Sequence, residues 1–244
     1  MTRQTKYWKE YWSGRLATVD EGGVYRSLDY SNERLALQTY AHVLEGLGPI
    51  AGKPVWDCGC GWGRFSLMLA AAGAKVLGSD VVARTVQQLH TRYPLLARWE
   101  LVDLLDPDSV SRLPNFDCVT AVEVLQYVET EQALRSLWSR VRSGGRVVGT
   151  VPNAECPIVK GVVLRYGGKW KPVGWGELLD ICSGLPDADC VWLKGLYFRE
   201  DQRLCPYRAS EWAEKLDGGP NRIVFAVVRQ GAEGEPEGAP SERR

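Results

Sequence analysis

Two aspartates and three glycines stand at spacings that suit the binding of a nucleotide-like ligand. One apolar run ends at Asp57, a turn with Gly59, Gly61 and Gly63 follows, and a second apolar run ends at Asp80. Glycines are needed in such a turn because the backbone must reverse sharply and approach a ligand closely, which a Cβ would obstruct. An acid at the tip of the second strand can accept both hydroxyls of a ribose. The pattern predicts a strand, a glycine turn, a helix and a second parallel strand that together bind a nucleotide.

The turn differs from two common phosphate-binding patterns. Arg64, Phe65 and Ser66 follow the last glycine, so the G-x-G-x-x-G fingerprint of nicotinamide-binding folds lacks its third glycine in register. No G-K-[ST] sequence of the Walker type occurs in the chain. Glycine turns also close ordinary strand–helix corners, but the two flanking acids favour ligand binding here.

Residues 55–80 resemble motif I of the class I S-adenosylmethionine (SAM) dependent methyltransferases, an apolar strand followed by an acid, one further residue and Gly-x-Gly-x-Gly. Asp80 matches the acid that holds the ribose in that family, and Asp103 in LVDLL matches the acid that contacts the adenine amino group. The resemblance extends over residues 55–153 and implies SAM as cofactor and S-adenosylhomocysteine (SAH) as product. The cofactor-binding residues that it implies are Asp57, Gly59, Cys60, Gly61, Trp62, Gly63, Asp80, Val81, Asp103, Leu104 and Glu123.

The same resemblance implies an α/β fold with a doubly wound, mostly parallel seven-stranded sheet, the Rossmann-like methyltransferase fold, and N-terminal lid helices. We expect one methyltransferase domain over residues 1–230. It comprises a helical lid (1–54), a SAM-binding half (55–153) and an insertion with the C-terminal, substrate-side half (154–230). Residues 231–244 are rich in Gly, Glu and Pro, a composition that predicts disorder.

Two helices are predicted before the sheet. The first carries Tyr7, Trp8, Tyr11 and Trp12, whose i, i+4 spacing pairs the rings along one helix. The second runs from about residue 32 to residue 47 and is stopped by a Gly-Pro pair. We expect the aromatic helix to close over the cofactor pocket, the alternative being permanent packing on the sheet or a dimer contact.

The second half of the chain is predicted to alternate again after the insertion. Residues 190–198 and 221–229 are interpreted as strands, and residues 209–216 as a helix between them. Residues 160–177 combine glycines, aromatic rings and basic side chains. Such a composition is typical of a mobile, substrate-facing loop, although an oligomer contact is an equal alternative.

Composition excludes several classes of protein. The 244 residues carry 30 basic and 30 acidic side chains, so there is no electrostatic reason to bind nucleic acid. No apolar run has the length of a membrane span, and the first ten residues are too polar for a signal peptide. The seven cysteines are odd in number and mostly isolated, which favours free thiols in a reducing cytoplasm. We expect a cytoplasmic monomer or homodimer.

No catalytic base is evident from the sequence. His42 and Tyr127 are weak catalytic candidates, because His42 lies in the second N-terminal helix and Tyr127 follows the fourth strand. Many relatives carry an acid–His pair in a Glu-Val-Leu-Glu-His sequence, whereas this chain has Gln126 and Tyr127 in those places. A role of the relatives' histidine in metal binding or base catalysis therefore cannot be transferred to this chain, and we expect no metal.

Several polar and aromatic residues lie in segments that wall the acceptor side of this fold. Arg26 is expected either to reach the SAM carboxylate or to form a surface salt bridge, and Arg64 is expected at the surface. Tyr127 is expected to contact substrate or to pack on the sheet edge, with packing favoured. The remaining candidates for substrate binding are Tyr25, Tyr30, Gln126, Asn153 and Trp170.

These observations favour a methyltransferase that moves the methyl of SAM to an O, N or C nucleophile of a small molecule by in-line SN2 transfer. Val151-Pro152-Asn153 after the fifth strand is similar to small-molecule enzymes, including the ubiquinone-biosynthesis O-methyltransferases, which suggests secondary or quinone-like metabolism. Residues 121–124 lack the Asn/Asp-Pro-Pro-aromatic sequence of nucleic-acid amino-methyltransferases. A protein substrate, or a SAM-binding protein that uses SAM for other chemistry, remains an alternative.

Overall fold

The computed structural model describes residues 3–16, 33–200, 203–204, 208–216 and 219–231. The strands are β1 (Pro54–Cys58), β2 (Lys75–Asp80), β3 (Arg98–Leu101), β4 (Phe116–Val122), β5 (Val141–Pro152), β6 (Ala188–Leu196), β7 (Arg199–Glu200), β8 (Arg203–Leu204) and β9 (Arg222–Arg229). The helices are α1 (Arg3–Leu16), α2 (Glu33–Leu47), α3 (Arg64–Ala71), α4 (Ala83–Arg92), α5 (Pro107–Ser111), α6 (Thr130–Trp138), α7 (Pro157–Arg165) and α8 (Trp175–Ser183), with a short 3-10 helix at Leu125–Tyr127. No described helix is long and apolar enough to cross a membrane.

Seven of the strands form one sheet in the order β3-β2-β1-β4-β5-β9-β6, and β7 pairs with β8 in a separate hairpin. The pairs from β3 to β5 are parallel, and β9 is antiparallel to both of its neighbours. The strand order reverses between β1 and β4, and ligands of doubly wound folds bind at that reversal, beyond the carboxyl ends of the strands. The predicted doubly wound, mostly parallel seven-stranded sheet is confirmed.

The two faces of the sheet bury separate apolar clusters because successive strand residues point to opposite sides. Val55 packs on the face covered by α2 and α3, and its neighbour Trp56 packs on the face covered by α6 and α8. Both residues are fully buried. This two-sided burial explains why the strands appear in the sequence as continuous apolar runs. It also holds in place the strand ends at which the acids stand.

The segment 209–216, expected as a helix, is extended. The backbones of Ala213 and Leu193 exchange hydrogen bonds of 2.7 and 2.9 Å, and Ala209 bridges to Leu196. Strand β6 is the edge of the sheet and would otherwise leave peptide groups unpaired. Trp212 packs beside Val148 under α2 and lies 5.6 Å from Lys194. Pairing with the edge therefore outweighs the helical pattern of this segment, and the prediction was wrong.

Two helices occupy parts of the insertion, so the loop expected over residues 160–177 is confined to residues 166–174 between α7 and α8. Helix α7 ends before Gly167 and Gly168, whose φ angles of 56° and 74° suit glycine at a helix end. Val159, Val162 and Val163 of α7 pack in one cluster with the aromatic rings of α1. Helix α8 packs on the sheet. Gly167 and Gly168 therefore follow the end of α7, and Gly174 directly precedes α8.

Candidate functional site

A cavity of about 250 Å³ lies beyond the carboxyl ends of β1, β2 and β4. Its walls come from the glycine turn, the three strand ends and the N-terminal helices. The lining residues are Trp8, Trp12, Ala36, Tyr40, Asp57, Cys58, Gly59, Cys60, Gly61, Trp62, Arg64, Phe65, Asp80, Val81, Val82, Val102, Asp103, Leu104, Val122, Glu123, Val124, Tyr127 and Val128.

The glycine turn has the backbone that the sequence predicts. Gly59, Gly61 and Gly63 have φ angles of 68°, 50° and 76°, a region that side-chain-bearing residues rarely occupy. A Cβ on Gly59 would lie 2.3 Å from Val124. The Cβ position of Gly61 has no atom within 4 Å, so this glycine leaves open space. The turn can therefore approach a ligand closely at Gly61.

Asp57 is a buried acid held by two hydroxyls. Ser66 Oγ donates to Oδ2 at 2.5 Å, and Thr120 Oγ1 donates to Oδ1 at 2.9 Å. Burial raises the pKa of Asp57 to about 6, and the hydroxyl hydrogen bonds oppose that rise. The negative charge of Asp80 also contributes to this raised pKa. The carboxyl group thus changes charge close to neutral pH and can attract a cationic ligand group when ionised.

Asp80 stands at the end of β2 and organises the turn beside it. Its Oδ2 accepts the N–H of Gly61 at 3.0 Å, and its Oδ1 accepts the N–H of Val82 at 2.9 Å. Burial raises the pKa of Asp80, while these backbone hydrogen bonds lower it. A carboxylate oxygen has more than one lone pair, so Asp80 retains acceptor capacity toward the cavity.

A third acid follows the neighbouring strand. Asp103 Oδ1 accepts the N–H of Leu105 at 3.0 Å, and the Asp103 N–H donates to Ser109 at 3.2 Å. The cavity is apolar between Asp80 and Asp103, where Val81, Val82, Val102 and Leu104 line it. A flat heterocycle fits such a slot, with an acid on each side for its polar edge and its sugar.

Glu123 lines the cavity but is already neutralised within the protein. The Nε–H of Arg222 donates to both carboxylate oxygens, at 2.9 and 3.0 Å, and Thr150 Oγ1 donates to Oε1 at 3.1 Å. Glu123 also has a φ of 55°, which is uncommon outside glycine. Arg222 was not expected from the sequence, because nothing in the residues around it shows that the first residue of β9 lies beside the loop after β4.

An aromatic wall closes the cavity opposite the strand ends. Trp8 and Trp12 of α1 contact Tyr127, with ring centroids 4.7 and 5.5 Å apart. Tyr40 of α2 stacks on Phe65 at 4.9 Å. Trp8 is buried and donates from Nε1 to the Lys169 carbonyl oxygen at 3.0 Å. Tyr127 thus packs against α1 at the cavity wall, and Tyr40 is a lining residue that the sequence analysis missed.

Two residues of the turn region face the same cavity. Trp62 lines it, and the indole Nε1 is buried without a hydrogen-bond partner. Arg64, expected at the surface, also lines the cavity. It lies close enough to Tyr40 for its positive charge to lower the pKa of that phenol, which burial and Asp57 raise overall. The first helical residue after the turn points back toward the ligand space.

Several sequence candidates lie away from this cavity. His42 Nδ1 is 3.1 Å from Glu45 on the same helix. Gln126 is buried and donates to the Glu123 carbonyl oxygen at 2.9 Å, and Asn153 donates to the Pro220 carbonyl oxygen at 3.0 Å. Trp170 is buried in the cluster between α1 and α7. The candidates Tyr25, Arg26 and Tyr30 lie outside the described residues.

No group of three His, Cys, Asp or Glu side chains within the described ranges is arranged to hold a metal ion. The positions where relatives carry an acid and a histidine are occupied by Gln126, which is bonded to Glu123, and by Tyr127, which packs on Trp8. The cysteines of the described part are free thiols.

Comparison with known proteins identifies a related family. A family model described as "Methyltransferase domain" matches residues 56–147. The ubiquinone biosynthesis O-methyltransferase of Chromobacterium violaceum is 36% identical over 137 residues, which is 52% of this chain and 57% of that protein. The enzyme of the same name from Ralstonia nicotianae is 33% identical over 108 residues, 43% of this chain and 45% of that protein. The chain spans about half the length of these curated relatives.

Solved structures share the fold over almost the whole chain. Magnesium protoporphyrin IX methyltransferase from Synechocystis PCC 6803, crystallised with bound SAH, aligns with a TM-score of 0.61 over 93% of this chain and 100% of its own at 18% identity. The N-methyltransferase NodS from Bradyrhizobium japonicum, also in complex with SAH, aligns with a TM-score of 0.60 over 91% and 97% at 16% identity. At these identities the likeness shows the fold.

Proposed function

We propose that the chain is a class I SAM-dependent methyltransferase that transfers the methyl group of SAM to an O, N or C nucleophile of a small molecule by in-line displacement. The match to the methyltransferase domain model and the similarity to the curated O-methyltransferases support this proposal. One observation carries this proposal. A single cavity joins the glycine turn and the acids Asp57, Asp80 and Asp103 to an aromatic wall. Cofactor and acceptor would therefore share one enclosed space.

The residues present fit the cofactor. No atom lies within 4 Å of the Cβ position of Gly61, so a ligand has space to contact the protein backbone there. Asp80 would accept the ribose hydroxyls, and Asp103 would accept the adenine amino group at the far side of the apolar slot. Asp57, when ionised, would attract the ammonium of the methionine part. These assignments follow the resemblance of the sequence motifs and are supported by the shared position of the residues on one cavity.

SAM supplies an activated methyl group on a sulfonium, so the protein's task is alignment and exclusion of water. Trp8, Trp12 and Tyr127 place apolar surface over the acceptor side. Their π faces attract positive charge, and that attraction keeps the pocket favourable for a cationic donor. Tyr40, whose pKa burial raises, would remain a neutral hydrogen-bond donor toward an acceptor oxygen or nitrogen.

The acceptor is proposed to be a small, planar and largely apolar molecule, as in secondary or quinone-like metabolism. Aromatic rings line the acceptor side of the cavity, and the charge of Glu123 is neutralised by Arg222. The relatives named as ubiquinone biosynthesis O-methyltransferases support this class. The free thiols of the described part suit a reducing compartment, which supports the proposal of a cytoplasmic enzyme.

The proposal is tested by following SAM turnover. Purified protein is incubated with methyl-labelled SAM and, in separate reactions, a small-molecule extract filtered to remove macromolecules or a protein extract freed of small molecules, and labelled products are separated from SAH. Label in a small molecule with matching SAH supports the proposal, whereas label only in added protein supports a protein methyltransferase. SAM consumption without a methylated product would indicate other SAM chemistry and would contradict the proposal.

A further inference from the structure

The outer strand β3 leaves one edge of the sheet open. Among the described residues β3 pairs only with β2, whereas the other edge strand, β6, is bridged by the segment 209–216. The Val102 N–H donates to the Asp80 carbonyl oxygen, so Val102 directs its peptide groups toward β2. Alternate residues of a strand direct their peptide groups to the same side, and those of Trp99 and Leu101 therefore point to the open edge. Groups in that position can pair with another strand.

Exposed apolar side chains cluster at the same edge. Leu95, Leu96 and Leu101 are 95%, 55% and 49% exposed, and they make up three of the six exposed large apolar side chains within the described ranges. Single exposed leucines are ordinary on protein surfaces, whereas a cluster of them marks an interaction site. Strand edges that exclude partners often carry lysine or proline, and β3 contains neither.

The charges of β3 fit a second copy of the same strand. Arg98 and Glu100 form an ion pair of 2.7 Å, with side chains 64% and 36% exposed, and they point to the same face because they are two residues apart. When two β3 strands pair antiparallel about a two-fold axis at Trp99, Arg98 of one copy stands opposite Glu100 of the other, and symmetry repeats the pair. An axis at Arg98 or at Glu100 would instead place like charges opposite each other, which destabilises a strand pair.

We propose that β3 is the interface of a homodimer, in which antiparallel β3 strands join the two sheets with the two-fold axis at Trp99. The outward peptide groups of Trp99 then bond to those of its copy. Leu101 of one chain pairs with Ala97 of the other, next to the exposed Leu96 of that chain. The carboxyl ends of the two sets of strands point in opposite directions, so the two ligand cavities lie at opposite ends of the dimer. This inference does not depend on the reaction that the protein catalyses.

Sedimentation velocity on the full chain tests the pairing by charge reversal. Arg98→Glu and Glu100→Arg each place like charges across the axis, so each is expected to weaken dimerisation at least about tenfold. An equimolar mixture of the two variants is expected to restore it, because one chain then carries two acids and the other two bases. The variant with both reversals is expected to dimerise like the unsubstituted chain. Arg135→Glu, in the exposed pair of Arg135 with Glu131 on α6, is the control and is expected to leave dimerisation unchanged.

The other outcomes overturn the proposal. A chain that stays monomeric at every concentration has no such interface, and a dimer insensitive to both reversals uses another surface. Loss in both variants without recovery in their mixture would contradict the antiparallel pairing at Trp99. Leu95→Glu, at a side chain 95% exposed, provides a second measurement, since it is expected to weaken dimerisation while leaving the melting temperature unchanged. If the reversal variants fail to fold, unchanged dimerisation in Leu95→Glu overturns the proposal instead.

Discussion

Glu123 and Arg222 join the loop after β4 to the first residue of the antiparallel strand β9. Nε of Arg222 lies 2.9 and 3.0 Å from the two carboxylate oxygens of Glu123. The side chains are 7% and 11% exposed, so water screens the pair little. Thr150 lies on the intervening strand β5. Its hydroxyl accepts a hydrogen bond from the backbone N–H of Glu123 and donates one to the Glu123 carboxylate. The pair thereby holds a loop that lines the cavity, including Val124 and Tyr127, against the far half of the sheet.

Removal of one partner of this pair is expected to be costly. Arg222→Met should lower the free energy of unfolding by about 3 kcal/mol, because it leaves the buried carboxylate of Glu123 without its counter-charge. The double variant Glu123→Gln with Arg222→Met should recover part of that loss. Urea unfolding measures both. The exposed pair of Arg142 with Asp117 provides the control, since Arg142→Met should cost less than about 1 kcal/mol. Equal losses for the buried and exposed pairs would contradict the prediction.

Asp80→Ala is expected to weaken SAH binding by about 1.5–3 kcal/mol, because a charge-assisted contact to the ribose is lost. The structure adds a second reason, since Asp80 holds the N–H of Gly61 at 3.0 Å and thereby shapes the turn. Isothermal calorimetry measures the change. Asp106→Ala is the matched control, because Asp106 also follows a strand but caps α5 instead of lining the cavity. Unchanged SAH affinity in Asp80→Ala would remove the ribose assignment.

Asp57 is expected to make stability depend on pH in the direction opposite to an ordinary surface acid. Its pKa is about 6 in the folded chain and about 4 when unfolded, so the folded state binds the proton more tightly. The contribution is fully present below the unfolded pKa and is lost as pH rises through about 6. The unfolding free energy relative to Asp57→Asn should fall by about 2 kcal/mol between about pH 4.5 and about pH 7.5. A constant difference between the two proteins would contradict this.

The sequence predicts the fold of residues 55–80 well because the relevant information is local. Asp57 and Asp80 end apolar runs, and the glycines 59, 61 and 63 stand between them, so the strand–turn–helix–strand unit follows from residues near one another in the chain. The observed φ angles of those glycines, 68°, 50° and 76°, agree with the conformational reason for predicting the turn. The sheet order then follows from the family resemblance.

The rest depends on contacts between distant segments. Residues 209–216 have a helical pattern but pair with the open edge of β6, and that edge is 13 or more residues away along the chain. Arg222 gives no local signal of its partner Glu123, which is 99 residues earlier. Arg64 looked like a surface group because charged residues usually are, yet it lines the cavity. Sequence patterns predict which residues are buried and where turns occur, whereas contacts between distant segments are seen only in the folded structure.

The turnover of this protein is expected to survive treatment with EDTA. Gln126 and Tyr127 occupy the places where relatives carry an acid and a histidine, and both are engaged within the protein, with Glu123 and with Trp8. Methyl transfer from a sulfonium needs alignment more than a Lewis acid. The measurement is SAH formation with a cognate acceptor before and after chelation. A loss restored specifically by Mg²⁺ would show that a carboxylate such as Glu123 binds a metal bridging enzyme and acceptor.

Helix α1 is expected to act as a lid whose packing serves the ligand site more than the stability of the sheet. Its rings contact Tyr127, Tyr166 and the insertion, in a cluster separate from those on the two sheet faces. Trp8 and Trp12 line the cavity, so their removal opens it to water.

Deletion of residues 1–20 should leave the melting temperature within a few degrees (on the order of 5 °C), while SAH dissociates at least about tenfold faster and turnover falls severely. Stopped-flow tryptophan fluorescence and thermal unfolding give both values. Tyr11→Phe, which keeps the ring and removes the hydroxyl that lies 3.3 Å from the Tyr166 hydroxyl, is the mild control and should leave both values nearly unchanged. A truncated protein that unfolds or aggregates would instead assign α1 a structural role, and the lid interpretation would be wrong.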